Sequence, residues 1–222
     1  MTARTAAEPF RFYTRLILPE ITGMKAENLI QLLEMTRIAD PSSIYHHTHR
    51  FLQQHQYLSP EPPNDFAYWV TEIIGVRDLG EKLASIDTID FSGIEGLRAK
   101  ILETIEEYIG ENPSSGSRTA HKGEEFYFIK SVSFIFPTEH VAHDLREFVS
   151  LLKKVTVDSL YFHIFEARLR LEKGNNDFSY WIGASLGEGD IAESISKLDP
   201  YTHTLENLRN AIVDIIEKNL RG

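Results

Sequence analysis

Apolar and polar residues alternate at two places in the chain. Phe10, Phe12, Leu16 and Leu18 take every second position with Arg11 and Arg15 between them, and Phe126, Phe128, Val132, Phe134 and Phe136 share a face in the same way. A period of two points successive side chains to opposite sides of an extended backbone, so each stretch predicts a half-buried strand and the pair a small sheet. Short apolar runs fit an amphipathic helix as well, and that reading stays open at 10–18 and 126–136.

Elsewhere the period is helical. Leu29, Leu32 and Leu33 predict a helix over about 25–36, and Leu145, Phe148, Val149 and Leu152 predict another. Asp40-Pro41-Ser42-Ser43 then halts and restarts the chain, because proline suits a first helical turn that an Asp or Ser caps. The helix it opens runs from Ile44 to about residue 56, and Asp158 is best placed to cap its later counterpart. Asn64 and Asn176 stand at predicted N-caps, with Asp65 and Asp177 in the favourable first turn. Phe66, Trp69, Val70 and Ile73 form the inward stripe, and Gly75 and Gly187 close as left-handed C-caps. Leu79, Leu83 and Ile86, matched by Ile191, Ile195 and Leu198, mark a short helix in each half. Ser92-x-x-Glu95 reads as a capping box before a last helix through Leu97, Ile101 and Ile105, with a counterpart through Leu208, Ile212 and Ile216.

These elements come twice, in the same order. Asn64-Asp-Phe-Ala-Tyr-Trp69 returns as Asn176-Asp-Phe-Ser-Tyr-Trp181, and the two segments hold both tryptophans of the chain. Ser43-Ile-Tyr-His-His47 matches Ser159-Leu-Tyr-Phe-His163, and Ile94-Glu-Gly-Leu-Arg98 matches Leu205-Glu-Asn-Leu-Arg209. The offset drifts by a few residues, as loop insertions between two copies of one unit would leave it. The expected architecture is therefore mainly α (α+β), with two tandem pseudo-repeats, each a short strand followed by about five helices. Residues 1–9 read as a disordered tail, 10–109 as copy one, 110–124 as a flexible Gly/Ser/Pro linker and 125–222 as copy two.

Composition narrows the function classes. A chain of 222 residues accommodates two domains of about 100 residues each. A net charge of −10 and a pI near 5.4 argue against binding nucleic acid or anionic membranes, which takes a basic face. The absence of cysteine removes disulfide and thiol chemistry. No apolar run reaches the roughly 18 residues of a membrane span, and the opening residues lack a signal-peptide core, so the chain is expected in the cytoplasm. Phosphate-cradling glycine loops, the GxSxG elbow and calcium loops are absent, so no cofactor is expected.

The strongest chemical candidates are His47 and Asp65, which recur as His163 and Asp177 and could form a general acid/base pair. A buried imidazole held by a helix-capping carboxylate explains the same recurrence and is the favoured reading. His46, His49, Arg50 and Gln53 share a helical face peculiar to the first half, where His46 and His49 are weak candidates for a metal. With no third ligand at a telling spacing, a solvated polar face is the expectation there. In the second half Phe162, Phe165 and Leu169 take that face, so they are expected to be covered at an interface, by the other copy or by a partner.

The order Phe-x-Phe, Ala-x-x-Leu (Ala26 to Leu29, Ala142 to Leu145), Ser-Ile/Leu-Tyr-x-His and Asn-Asp-Phe-x-x-Trp resembles an uncharacterised bacterial and archaeal domain-of-unknown-function family, here in two tandem copies. The resemblance covers nearly the whole chain outside tail and linker and implies no activity. The reading favoured is a non-catalytic, duplicated helical binding or regulatory module, working through the groove between copies or an exposed surface. Its partner is a protein or a further copy of the chain, and a small-molecule ligand is left undetermined. The alternative is an enzyme with an asymmetric site around His46, His47, His49 and Asp65, with or without a metal.

Overall fold

The computed structural model describes residues 5–50, 64–91, 93–167, 176–198 and 204–221, with backbone alone at Arg50, Ile89 and Arg221. The chain is mainly helical, with one two-stranded sheet. Strand β1 spans Phe10–Ala26 and β2 spans Phe126–Ala142, so both stretches that alternate are strands, longer than the apolar pattern marks. Helices α1 (Leu29–Ile38) and α2 (Pro41–Tyr45) follow β1, and α2 runs on as a π-helix over His46–Arg50. Next come α3 (Asp65–Tyr68), continued as a π-helix over Trp69–Ile73, then α4 (Arg77–Ala84) and α5 (Ile94–Glu111). After β2 come α6 (Leu145–Leu152), α7 (Val157–Tyr161) with a π-helix over Phe162–Glu166, α8 (Asp177–Leu186), α9 (Gly189–Ser196) and α10 (Leu205–Arg221).

The chain forms two compact units, and the boundary falls inside both strands. One unit holds residues 1–16 and 133–222, the other 17–132. They do not coincide with the linear halves 10–109 and 125–222. In the first unit Phe10 and Phe12, from the start of β1, pack against Phe148 and Phe178, and Phe10 also meets Trp181. In the second, Phe126 and Phe128, from the start of β2, pack against Phe66. Each core is thus completed by the Phe-x-Phe that lies across the sequence from its helices. Burial of these rings, each 7% exposed or less, supplies the apolar area that a unit of this size needs.

The in-and-out alternation of both strands slips by one residue after the second phenylalanine. Phe10 and Phe12 face inward as expected, but the next inward position is Arg15, and Leu16 and Leu18 stand about half exposed. In β2 the inward position is Ser131, while Phe134 and Phe136 are 45% and 49% exposed. A strict period of two contains no information about such a slip, which moves every later side chain to the other face.

Local signals explain the helix ends. The Asn64 side chain accepts the Ala67 N–H at 2.8 Å and Asn176 accepts that of Ser179 at 2.9 Å. Asp40 caps α2 ahead of Pro41. Thr156, rather than Asp158, caps α7. Gly75 and Gly187 adopt left-handed φ of 72° and 71°. Ser92 of the expected capping box lies outside the described residues, and Gly93 occupies the N-cap of α5. Where a linker is expected, α5 runs on to Glu111 and Pro113–Ser117 forms a 3-10 turn with Ser115 buried. Ala120 donates to the Glu27 carbonyl at 2.7 Å, and Arg118 donates to that of Gly75 at 2.7 Å. Within the expected tail, the amides of Ala6 and Ala7 bond to the carbonyls of His143 and Ser185. Gly/Ser-rich composition lowers the apolar content of a segment without removing its backbone donors and acceptors, which find partners here.

Candidate functional site

The Ser-x-x-x-His spacing puts Ser43 and His47 one turn apart across the end of α2, facing the backbone of β2. The Ile129 N–H donates to His47 Nε2 at 3.0 Å, and the Ile129 carbonyl accepts from Ser43 Oγ at 2.9 Å. His47 Nδ1 lies 2.7 Å from Asp65 Oδ2. Because an amide N–H only donates, Nε2 is the acceptor. The imidazole proton therefore sits on Nδ1 and goes to the carboxylate. His47 is 3% exposed, against the rings of Phe66, Phe126 and Phe128.

The first unit contains the same arrangement with the strand of opposite origin. Tyr13 N–H donates to His163 Nε2 at 2.8 Å, Ser159 Oγ donates to the Tyr13 carbonyl at 2.6 Å, and His163 Nδ1 meets Asp177 Oδ2 at 2.8 Å. In each unit a helix thereby supplies the donor and the acceptor that a neighbouring strand would otherwise give. The residues singled out for acid/base chemistry act as a clamp on a strand. A general base needs a free lone pair within reach of a substrate proton, and both imidazoles have given theirs to a backbone amide.

The tryptophans hold the chain just ahead of the same strands. Trp69 Nε1 donates to the Glu124 carbonyl and Trp181 Nε1 to that of Glu8, both at 2.7 Å. Arg98 Nη1 reaches the carbonyls of Thr36 and Ala39 at 3.0 and 2.6 Å, satisfying the open end of α1. Arg209 does so for Leu152 and Val155 at 2.6 and 2.7 Å.

His46 and His49 are buried at 9% and 2% exposure, which overturns the expectation of a solvated face. The segment has no wet face: every side chain from Ser43 to His49 is buried, over the end of α2 and into the π-helix that follows. His46 Nδ1 pairs with Ser131 Oγ at 3.0 Å, and the His49 ring stacks on Tyr45 with centroids 5.2 Å apart. Thr48 Oγ1 donates to the Ile44 carbonyl and lies 2.8 Å from His49 Nδ1, so Nδ1 carries the proton there too. Among the described residues no three His, Asp or Glu side chains converge as a metal site would need.

Phe162 and Phe165 are buried at 3% and 6% exposure, with Phe165 stacked on Tyr161 at 4.6 Å. Leu169, Gln53 and the Arg50 side chain lie outside what is described. Sequence reading missed Arg15, which is 5% exposed, ion-paired with Glu166, and lies 4.5 Å over the Tyr161 ring. Its signal is reciprocal: Arg15 matches Ser131 in β2, and Glu166 matches Arg50, so a charge leaves the strand where one of opposite sign leaves the helix.

A mainly helical chain with a short sheet clamped by paired Ser and His defines the class. The chain belongs to DUF5752, a family of unknown function, whose model matches residues 7–217. It is similar to OrfY from Thermoproteus tenax, with a TM-score of 0.81 and 30% identity over 96% of this chain and 96% of that one. No curated protein matches it. Among the described residues no helix is long and apolar enough to cross a membrane.

Proposed function

We propose that one ancestral unit of about a hundred residues was duplicated in tandem, and that the product is a non-catalytic binding or regulatory module of the cytoplasm, engaging a protein partner. The observation that carries this reading is the full use of both nitrogens of His47 and of His163 by a carboxylate and a backbone amide. The recurring Ser, His and Asp are thereby accounted for by folding. Support for a protein partner comes from apolar side chains that the strands leave in water. These are Leu16, Phe134, Ile135 and Phe136 in one unit, and Leu18, Ile21 and Tyr127 in the other.

Carbethoxylation by diethyl pyrocarbonate, mapped by mass spectrometry on the native chain, tests the reading. The exposed His121 and His143 should react at once. His47 and His163 should stay unmodified until denaturant is added, since the reagent attacks a free imidazole nitrogen. Modification of His47 or His163 in the folded protein, at the rate of His121, would instead favour acid/base chemistry and sink the module.

A further inference from the structure

The hexapeptide that occurs twice assigns a structural task to every position but two. Asn64 and Asn176 cap helices, Asp65 and Asp177 hold imidazoles, Phe66 and Phe178 are fully buried, and Trp69 and Trp181 tie down the strand ends. Position four is a buried Ala67 or Ser179. The tyrosines remain. Tyr68 and Tyr180 are 46% and 55% exposed, and neither hydroxyl has a hydrogen-bond partner among the described residues. What sets these rings apart is their recurrence in both segments with the hydroxyl left to solvent.

A second recurring residue accompanies each tyrosine. Glu81 and Glu193 occupy matching places on α4 and α9, and both are exposed. In the first unit Tyr180 and Glu193 line one open hollow of ≈ 430 Å³ together with Gly183, Ala184 and Ala192. Small residues let the two helices approach closely: a Cβ built on Gly183 would lie 3.4 Å from that of Ala192. In the second unit Gly80 serves the same approach, beneath Thr71. In the first unit the tyrosine therefore shares an open hollow with a carboxylate, and the same residues recur on the matching helices of the second.

Charge selects the occupant. Residues 176–198 carry Asp177, Glu188, Asp190 and Glu193 against Lys197, which is itself paired with Glu193. Residues 64–84 carry Asp65, Glu72, Asp78 and Glu81 against Arg77 and Lys82. We propose, building on the reading as a binding module, that each Tyr–Glu face docks a segment of a partner protein bearing Arg or Lys. The cation lies over the tyrosine ring and the carboxylate pairs with it, so one chain holds two equivalent sites. Exposed tyrosine suits this role because it offers a rigid ring at low entropic cost.

The test titrates the full chain with a short capped peptide alternating Arg and Gly, following both Tyr resonances by NMR. The native chain should bind two peptides. Tyr68→Ala and Tyr180→Ala should each weaken one site about fivefold or more, the double variant both, while Tyr68→Phe and Tyr180→Phe bind like the native protein. Glu81→Gln with Glu193→Gln should also weaken both, and a Glu–Gly peptide should not bind. Circular dichroism melts should coincide across the set, because the side chains are exposed. Equal affinity of the double alanine variant, or no binding by the native chain, overturns the proposal. If that happens while His47 and His163 stay protected from carbethoxylation, only the choice of a cationic partner falls and the module reading stands.

Discussion

His47 Nε2 accepts the backbone N–H of Ile129 across 82 residues of sequence, at 3.0 Å. That bond turns an apparent catalytic histidine into part of the strand pairing. Removing the imidazole would strip Ile129 and Asp65 of their partners at once and leave a void among three phenylalanine rings.

His47→Ala should therefore lower stability by about 3 kcal/mol, read from urea denaturation midpoints. His47→Gln should cost less, since its amide oxygen offers an acceptor for the Ile129 N–H. Equal loss in the two variants would mean that the bond is incidental and ring volume alone matters.

Arg98 sits beneath the C-terminus of α1, with Glu95 3.0 Å from its Nε. Arg98→Met keeps the apolar stem but frees the carbonyls of Thr36 and Ala39 in a buried setting. A loss of about 2–4 kcal/mol is expected by thermal denaturation, and Arg98→Lys should recover only part of it because one ammonium lacks the planar fork. A melting temperature unchanged in Arg98→Met would show that water replaces the guanidinium.

Gly80 lies so close to Thr71 that an added Cβ would come within 1.8 Å of the threonine Oγ1. Gly80→Ala should cost about 2 kcal/mol through this overpacking. Adding Thr71→Gly recreates the Gly183 and Ala192 pairing of the other segment and should return part of the loss, less about 1 kcal/mol for a glycine inside a helix. Strict additivity of the two changes in denaturation experiments would contradict the contact.

Asp40 is held below its usual carboxylate range first by the Ser42 hydroxyl and then by the Ser42 amide. A depressed carboxyl contributes stability that is complete above its unfolded value of 3.8 and is lost as pH falls through the lower folded value. Asp40→Ala should remove about 1 kcal/mol at neutral pH. Asp40→Asn should keep most of the cap while flattening the acid limb of the stability profile below pH 3.8. An unchanged acid limb in Asp40→Asn would assign the pH dependence elsewhere.

Much of the local structure is legible in the residues themselves. The Asn caps, the proline start of α2, the left-handed glycines and the apolar stripes of α1 and α5 act within a turn or two of chain, so short windows contain all their partners. The buried His–Asp pairing is legible as well, since a recurring imidazole and a recurring carboxylate in a chain of this kind call for each other. The site goes wrong at His46 and His49. Nothing in His46-His-Thr-His-Arg50 announces that a distant strand covers it, with Ser131 of β2 meeting His46, so that residues 43–49 are buried all round.

The sequence by itself determined the asparagine caps, the proline start of α2, the glycine stops, which residues recur, and that helices dominate the chain. Tertiary structure alone decided that Phe10 and Phe12 complete the core of helices far down the chain, that Arg15 rather than Leu16 points inward, and that the imidazoles are spent on strand amides. The division follows from range: caps and periodicity are settled by neighbours along the backbone, whereas a strand's partners are chosen among groups brought together only when the chain closes on itself.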